Sequence, residues 1–172
     1  MTGRLVTPRV RAGVWQVSDS RTTVRFRATG LGRSVTGSVA VCWGWVEVDG
    51  SGAPVRAGAE LDLASVCTGI ARRDADLRTA RFLHVDRHPS ASWTATGFRR
   101  VDGGWLADGV LSVRGTLAPL ALRGGPVGPT PDEEHLHVRA DGELDRRTVG
   151  ISVPALLVGR TVRIEVDARL AL

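Results

Sequence analysis

Several residue types are rare or missing in this sequence. Its 172 residues include no lysine and no tyrosine, and only two cysteines and one methionine. Hydrophobic residues make up 42% of the chain, but no apolar stretch approaches the ~20 residues that a membrane-spanning helix needs. We therefore expect no membrane span and one globular domain over residues 1–172, a length that is enough to bury a sizeable core.

The N-terminal stretch lacks a signal for export. Residues 1–14 contain three arginines and one proline, but no apolar run of the kind that a signal peptide carries. We therefore expect a cytoplasmic protein. Cys42 and Cys67 lie within predicted strands, and because the cytoplasm is reducing we expect buried free thiols rather than a disulfide.

Motifs of the common enzyme classes are also absent. The sequence has no Gly-x-Ser-x-Gly nucleophile elbow, no Walker loop and no dinucleotide-binding fingerprint. Neither cysteine lies in a recognisable active-site motif. We therefore expect a protein without catalytic residues and without a resident cofactor.

The positive charge comes from arginine alone. The formal net charge is +5, with 23 basic and 18 acidic residues. The arginines are scattered between the predicted strands, whereas nucleic-acid-binding modules usually cluster basic residues with exposed aromatic ones between them. We therefore expect a solvated arginine-rich surface and no nucleic-acid partner. A weak peripheral contact with anionic membrane surfaces is compatible with this charge.

The hydrophobic period changes twice between Leu61 and Trp93. Apolar or small residues recur at every second position up to Cys67, which is typical of a strand with one covered face. A short helical pattern follows over residues 72–81, with acidic residues in its first turn and arginines near its end. A histidine-proline pair then interrupts the chain before the alternation resumes. This stretch predicts a strand, a helix and a second strand.

The rest of the chain alternates between strands and turn formers. Asp102-Gly103-Gly104 predicts a tight hairpin, and Pro119 within a later strand predicts a bulge or an edge. Residues 123–134 contain three prolines and no apolar pattern, and we expect a surface loop there. With about eight strands, one short helix and no helix long enough for a parallel crossover, the predicted fold class is all-β, an antiparallel eight-stranded β-barrel.

Three stretches together carry a family resemblance. The central one runs from a strand end through an Arg-Asp pair and a proline to a returning strand, and its matching positions are Ser65, Thr68, Gly69, Arg73, Asp74, Leu77, Phe82, Asp86, Pro89 and Trp93. Residues 13–26 and 108–116 agree with the same pattern. In these positions the chain resembles the YceI family. The turn over residues 145–151 also matches, with Val149 where the family usually has an aromatic side chain.

The resemblance implies a lipocalin-like β-barrel that holds a long apolar molecule of the polyisoprenoid or isoprenoid-quinone type. It implies a non-enzymatic bacterial carrier, storage or sequestering protein, and it leaves a homodimer open. An eight-stranded barrel either fills its interior with side chains or holds one small ligand. Strand parity places these residues on the wall that would contact the lipid: Val24, Phe26, Val41, Trp43, Leu61, Leu63, Phe82, Trp93, Leu111, Val113 and Val138.

The four histidines support an alternative hypothesis. His84, Asp86 and His88 lie in one connection, and His135 and His137 share one face of a predicted strand, a spacing that can hold a metal. In this hypothesis they converge at one rim of the barrel and form a metal-dependent or other enzyme site. Because no cysteine or glutamate pattern completes a known ligand set, our expectation remains a protein without a metal.

Arg73 and Asp74 form the charged pair of the central segment. Asp74 is expected to cap or charge the start of the helix. Arg73 is expected to pair with a nearby carboxylate such as Asp86. We therefore expect a structural role for this pair rather than a catalytic one.

Overall fold

The computed structural model describes residues 9–18, 20–30, 32–128, 133–152 and 158–172. These residues form nine strands, one α-helix and one 3-10 helix. In chain order the elements are β1 (Gly13–Val17), β2 (Thr23–Gly30), β3 (Arg33–Val48), β4 (Pro54–Cys67), α1 (Ala71–Arg78), β5 (Ser90–Val101), β6 (Gly104–Val113), β7 (Thr116–Pro126), β8 (His135–Asp145), the 3-10 helix (Arg146–Val149) and β9 (Thr161–Ala171).

The strands close into an antiparallel barrel with eight strand positions. β2 pairs with β3 and β9, the ring continues in order from β9 down to β4, and β4 pairs back with β3. β1 occupies the same position as β2, because it also pairs with β3 and β9, nearer to the end of β9. The predicted fold class is therefore confirmed. Among the described residues, no helix is both long and apolar enough to cross a membrane.

The central segment folds as the sequence predicts, with β4, α1 and β5 in that order. The helix begins at Ala71 and ends at Arg78, three residues before the predicted boundary at residue 81. Thr79 takes an extended conformation and its backbone N–H donates to the carbonyl of Asp76, which ends the helix. The predicted hairpin is also present, since β5 ends at Val101 and β6 begins at Gly104.

The barrel has two ends, which differ in their connections. The helix rim consists of the connections that follow β2, β4, β6 and β8 and of the strand residues that flank them. The terminal rim lies at the other end, where β1 begins and β9 finishes. The described residues of the helix rim are 30, 32–33, 67–90, 113–116, 145–152 and 158–161, and those of the terminal rim are 9–13, 48–54, 101–104, 126–128, 133–135 and 171–172.

The prediction of a surface loop over residues 123–134 is wrong in its first part. β7 continues to Pro126, and its last four residues pair with β8. Gly124 interrupts the apolar alternation that would have indicated a strand in the sequence. It also allows this close pairing, because a Cβ at position 124 would lie 2.1 Å from the carbonyl oxygen of Arg139. Residues 129–132 of the predicted loop lie outside the described part of the chain.

The seam between β7 and β8 is short. Among the described residues the two strands pair only through Arg123 to Pro126, near the terminal rim. Pro119 pairs with Val110 of β6 on one side and has no β8 partner on the other. A proline cannot donate to a strand ladder and is tolerated at such an edge. The predicted bulge or edge at Pro119 is therefore an edge.

Two apolar clusters lie at opposite ends of the interior. One contains Leu63, Leu111 and Val149 and lies towards the helix rim. The other surrounds Trp15, which is fully buried, and lies towards the terminal rim with Leu136. Burial of such side chains is the main favourable contribution to folding. The clusters leave space between them along the barrel axis.

Candidate functional site

A cavity of about 960 Å³ occupies the interior of the barrel. Its wall is formed mostly by aliphatic and aromatic side chains from all eight strand positions. The cavity extends from Gly52 and Pro54 at the terminal rim to Arg33 and Arg81 at the helix rim. A volume of this size lies at the upper end of the range for small-molecule sites. The interior therefore has room for a ligand.

Most of the side chains that strand parity assigns to the interior line this cavity. These are Val24, Phe26, Val41, Leu61, Leu63, Phe82, Trp93, Leu111, Val113 and Val138. Their position on the wall follows from the alternation of the strands and, for Phe82, from the connection after α1. Their contact with a ligand remains a prediction.

Trp43 is the exception, and its predicted place on the interior wall is wrong. Its side chain is 46% exposed and its indole Nε1 donates to Oε2 of Glu60 on the outer surface, at 3.0 Å. The cause is a register shift in β3 between Val41 and Trp43. A bulge of one residue moves every following side chain to the other face. After it, Val46 and Val48 pack inside instead.

Several wall residues were missed by the sequence prediction. On β9, Val162, Ile164 and Val166 line the cavity, and their common face is visible in the sequence as a simple alternation. Other missed wall residues are Val39, Val46, Leu83, Phe98, Trp105, Leu120 and Leu122. The charged residues of the wall are Arg33, Arg73, Asp76, Arg81 and Arg146. Strand parity could not assign them to the interior, because they lie at strand ends and in connections.

A glycine makes room for the aromatic wall residue Phe26. Gly37 lies opposite Phe26 in the pairing of β2 with β3. A Cβ at position 37 would lie 2.3 Å from Cζ of the phenyl ring, a distance that two non-bonded carbon atoms in a protein do not adopt. The phenyl ring therefore occupies the space that a side chain at position 37 would fill.

A hydrogen-bonded network joins α1 to the end of β4. The carboxylate of Asp74 accepts from the backbone N–H of Thr68 at 2.8 Å and from the Thr68 hydroxyl. Arg73 Nε donates to the same hydroxyl at 2.8 Å. The bond from the Thr68 hydroxyl holds the pKa of Asp74 below its ordinary value. The structural role predicted for the pair is thus visible in these bonds.

The prediction for Asp74 is confirmed in its second form, because Asp74 places its charge in the first turn of α1, whereas the N-cap position belongs to Ile70. The predicted partner of Arg73 is wrong. The Arg73 guanidinium donates to the hydroxyl and carbonyl of Thr68, rather than to Asp86. Both side chains instead bind Thr68, the residue that follows β4.

Two arginines hold the helical segment across the end of the barrel. Arg78 donates to the carbonyls of Ala64 and Val66, both at 3.0 Å, beyond the point where β4 pairs with β5. Arg114, in the turn between β6 and β7, donates to the carbonyls of Ala80 and Phe82. Main-chain acceptors without strand partners are thereby satisfied. Phe82 and its neighbours are fixed over the cavity.

Arg146 organises the connection between β8 and β9. Its side chain is 3% exposed and donates to the carbonyls of Val158, Gly159 and Ile151, with distances between 2.7 and 3.2 Å. Burial of a cation is tolerated only when its donors are satisfied. The guanidinium therefore ties both ends of this connection to the barrel.

Comparison with known proteins identifies the family. The model of the YceI-like domain matches residues 15–170. The chain belongs to the YceI-like family. A UPF0312 protein of Pectobacterium atrosepticum is 33% identical over 72 residues, which are 42% of this YceI-like chain and 38% of that relative. A UPF0312 protein of Serratia proteamaculans is 28% identical over 95 residues, or 54% of this chain and 50% of the relative. The chain thus spans about two fifths to one half of the length of these relatives.

Solved structures share the fold of this YceI-like chain at low sequence identity. BcnA of Burkholderia cenocepacia superposes with a TM-score of 0.74 at 13% identity, covering 91% of this chain and 99% of that one. A polyisoprenoid binding domain from Saccharophagus degradans, implicated in plant cell wall breakdown, has a TM-score of 0.67 at 12% identity, with 94% and 99% covered. The Campylobacter jejuni YCEI protein has a TM-score of 0.65 at 15% identity, with 99% and 94% covered.

The histidines of this YceI-like barrel do not converge at one rim, so this part of the alternative hypothesis is wrong. His84 and His88 lie at the helix rim, with ring centroids 5.8 Å apart. His135 and His137 lie at the beginning of β8, towards the terminal rim. His137 Nε2 lies 2.7 Å from Oδ1 of Asp167. No three metal-ligating side chains form a group in the described part of the chain.

Both cysteines are free thiols, but the predicted burial is wrong. Cys42 and Cys67 are exposed. Cys42 lies at the register shift of β3, next to Trp43, and it faces outwards by alternation with Val41, which lines the cavity. Residual burial of the sulfur, together with the nearby charges of Asp62 and Glu60, raises the pKa of the Cys42 thiol.

Proposed function

We propose that this YceI-like protein binds one long apolar lipid, of the polyisoprenoid or isoprenoid-quinone type, inside the barrel. It acts as a carrier, storage or sequestering protein and not as an enzyme. The observation that carries the proposal is the apolar cavity of about 960 Å³ that extends between the two rims. An interior of this shape suits an extended chain better than a compact polar metabolite.

The chemistry of the wall agrees with such a ligand. Burial of apolar surface contributes roughly 25 cal/mol per Å², so a long hydrocarbon gains affinity without polar contacts along its length. The polar wall residues gather near the helix rim, with Thr22 as the exception; they are Thr29, Arg33, Ser34, Arg73, Asp76, Arg81 and Arg146. A lipid with one polar end is therefore expected to place that end at the helix rim.

A structural neighbour supports the ligand class. The Saccharophagus degradans domain is described as polyisoprenoid binding, and it shares the barrel of this chain. At 12% identity the likeness concerns the fold. The ligand class of this chain is therefore our proposal.

The test combines extraction of the purified native protein with a blocked cavity. The extract in organic solvent is examined by mass spectrometry, and emptied protein is titrated with a polyprenyl compound and with a quinone while tryptophan fluorescence is recorded. Trp93 and Trp105 line the cavity and provide the signal. We expect one lipid per barrel and saturable uptake.

A matched pair of variants locates the ligand. Ala59 lines the cavity, so Ala59→Phe fills part of the interior and is expected to weaken uptake at least tenfold. Ala121 is exposed on the outside of β7, and Ala121→Phe should leave uptake unchanged. A lipid-free extract combined with no uptake by the wild type would overturn the proposal. Equal uptake by both variants would show that the ligand does not bind inside the cavity.

A further inference from the structure

Arginines are more numerous at one end of the barrel than at the other. The described residues of the helix rim include ten arginines and four aspartates, whereas those of the terminal rim include two arginines and four acidic residues. The helix-rim residues are Arg33, Arg72, Arg73, Arg78, Arg81, Arg87, Arg114, Arg146, Arg147, Arg160, Asp74, Asp76, Asp86 and Asp145. Six of these arginines, Arg33, Arg72, Arg81, Arg87, Arg147 and Arg160, are exposed, so the helix rim is the more basic of the two rims.

Two large apolar side chains are exposed at the same end. Ile70 is 52% exposed and Leu117, the second residue of β7, is 71% exposed. Ile70 stands at the N-cap of α1 and makes no capping hydrogen bond, although serine, threonine, aspartate and asparagine stabilise that position. A single exposed apolar residue needs no explanation. Here, however, two of them accompany a concentration of positive charge.

The cavity reaches the surface at this charged end. Arg33 and Arg81 belong to its wall and are exposed to solvent. Arg73 lines it as well and is held by Thr68. An apolar molecule that leaves or enters the barrel at the helix rim therefore passes between cationic side chains, with Ile70 and Leu117 at the same end of the molecule.

We propose that the helix rim docks onto anionic lipid bilayers. The exposed arginines, among them Arg72, Arg81 and Arg87, lie against lipid phosphates, and Ile70 and Leu117 insert between the head groups. Basic residues near an anionic surface and apolar side chains in the interfacial layer are the two attractions that hold peripheral proteins on membranes. The docking proposal rests on the proposed function only for its biological role, which is to bring the cavity to the membrane that supplies its lipid. The docking itself does not require a ligand in the cavity.

Charge alone would also attract a nucleic acid. The two exposed apolar side chains favour the bilayer, because they gain free energy in a lipid interface and contribute nothing to phosphate contacts. Phe82, whose ring centroid lies 5.9 Å from the guanidinium carbon of Arg81, lines the cavity. We therefore argue for the membrane and include duplex DNA as a competitor in the test.

Flotation of the full-length protein with lipid vesicles tests the docking proposal. The vesicles contain either phosphatidylcholine alone or equal parts of phosphatidylcholine and phosphatidylglycerol. We expect binding to the anionic vesicles at low salt, a steep loss at high salt, and little binding to the neutral vesicles. Absence of binding to the anionic vesicles at low salt would overturn the proposal.

Two charge-matched double variants locate the docking surface. Arg72 and Arg87 are exposed at the helix rim, and Arg9 and Arg11 are exposed at the terminal rim. Because one arginine near an anionic surface contributes about fivefold to binding, Arg72→Gln with Arg87→Gln should weaken binding about thirtyfold. Arg9→Gln with Arg11→Gln changes the net charge equally and should have at most a small effect. Equal losses in both pairs would contradict a localised surface.

A third double variant separates membranes from nucleic acids. Ile70→Ser with Leu117→Ser should weaken vesicle binding about tenfold and leave the net charge unchanged. If this variant binds vesicles as well as the wild type, and the wild type binds a random-sequence DNA duplex tightly, the partner of the helix rim is a nucleic acid and not a membrane. Lipid uptake in the absence of vesicles is measured on the same samples, so a failure of docking and a failure of ligand binding are distinguished.

Discussion

The indole ring of Trp93 lies on the backbone of Gly109, its diagonal neighbour on the adjacent strand. Trp93 pairs with Leu111, and a Cβ at position 109 would lie 2.2 Å from the indole Nε1. The same Nε1 donates to the carbonyl of Leu120 at 2.9 Å, one strand further on. The ring thus spans three strands, and this part of the cavity wall requires a residue without a side chain at position 109.

We expect Gly109→Ala to destabilise the protein by about 1–3 kcal/mol, because the methyl group displaces Trp93 and breaks its hydrogen bond. Equilibrium unfolding in urea measures the change. Gly97→Ala is the matched control, since the nearest atom to a Cβ there is Asp108 Cβ at 3.7 Å, an ordinary contact. A glycine in a strand costs some stability, so the control should be neutral or slightly stabilised. Equal losses in both variants would contradict the role of Trp93.

The turn after β8 should make folding stability depend on acidic pH. Asp145 accepts from the side chain and the backbone N–H of Arg147, and these bonds lower its pKa to about 2. An aspartate in the unfolded chain titrates near ~3.9. The stabilisation by Asp145 is therefore complete above about pH 4 and is lost as the pH falls towards 2. Thermal unfolding at a series of pH values should show a smaller decline of Tm over this interval in Asp145→Asn than in the wild type.

Replacement of Arg146 should be costly, whereas replacement of its neighbour should not. Arg146→Met leaves buried carbonyls of the β8 to β9 connection without donors, and we expect a loss of at least about 2 kcal/mol. Arg147 is 51% exposed and pairs with Asp145 at 2.8 Å. Since exposed ion pairs contribute at most about 1 kcal/mol, Arg147→Met should change the free energy of unfolding little. A smaller loss for Arg146→Met than for Arg147→Met would refute this assignment.

Both cysteines should react in the folded protein. A maleimide added under native conditions is expected to modify Cys42 and Cys67, because both are exposed. The raised pKa of Cys42 means that its thiolate forms only at higher pH, and the thiolate is the reactive form. The rate of modification in a Cys67→Ser variant should therefore reach half of its maximum at a pH above ~8.5, the ordinary thiol pKa. Protection of either residue until the protein unfolds would contradict the observed exposure.

Alternation along the strands was sufficient to predict the barrel and most of its wall. Where a strand is regular, as from Val24 to Phe26 or from Leu61 to Leu63, the side that carries the large apolar residues faces the cavity. The antiparallel order follows from short turns between successive strands. The same rule fails in β3, because a bulge reverses the parity and no residue type in its sequence marks the shift at Cys42.

The charge distribution could not be predicted, because it depends on which connections share an end of the barrel. Arg33, Arg87, Arg114 and Arg160 lie far apart in the chain but in connections of the same rim. Alternate connections of an up-and-down barrel always meet in this way. The hydrogen-bonding partners of Arg73 could not be predicted from the sequence either, because a threonine hydroxyl and a main-chain carbonyl carry no charge that would mark them as partners of an arginine.

The short seam between β7 and β8 gives the barrel a preferred place to widen. Near the terminal rim the two strands share a backbone ladder, whereas towards the helix rim they are joined by the packing of side chains around the 3-10 helix, with Leu144 and Val149 buried there. Side-chain packing can rearrange for a bulky guest without the loss of main-chain hydrogen bonds. We therefore expect the barrel to widen on this side and at this end when it takes up the proposed lipid, while the other strand pairs keep their register.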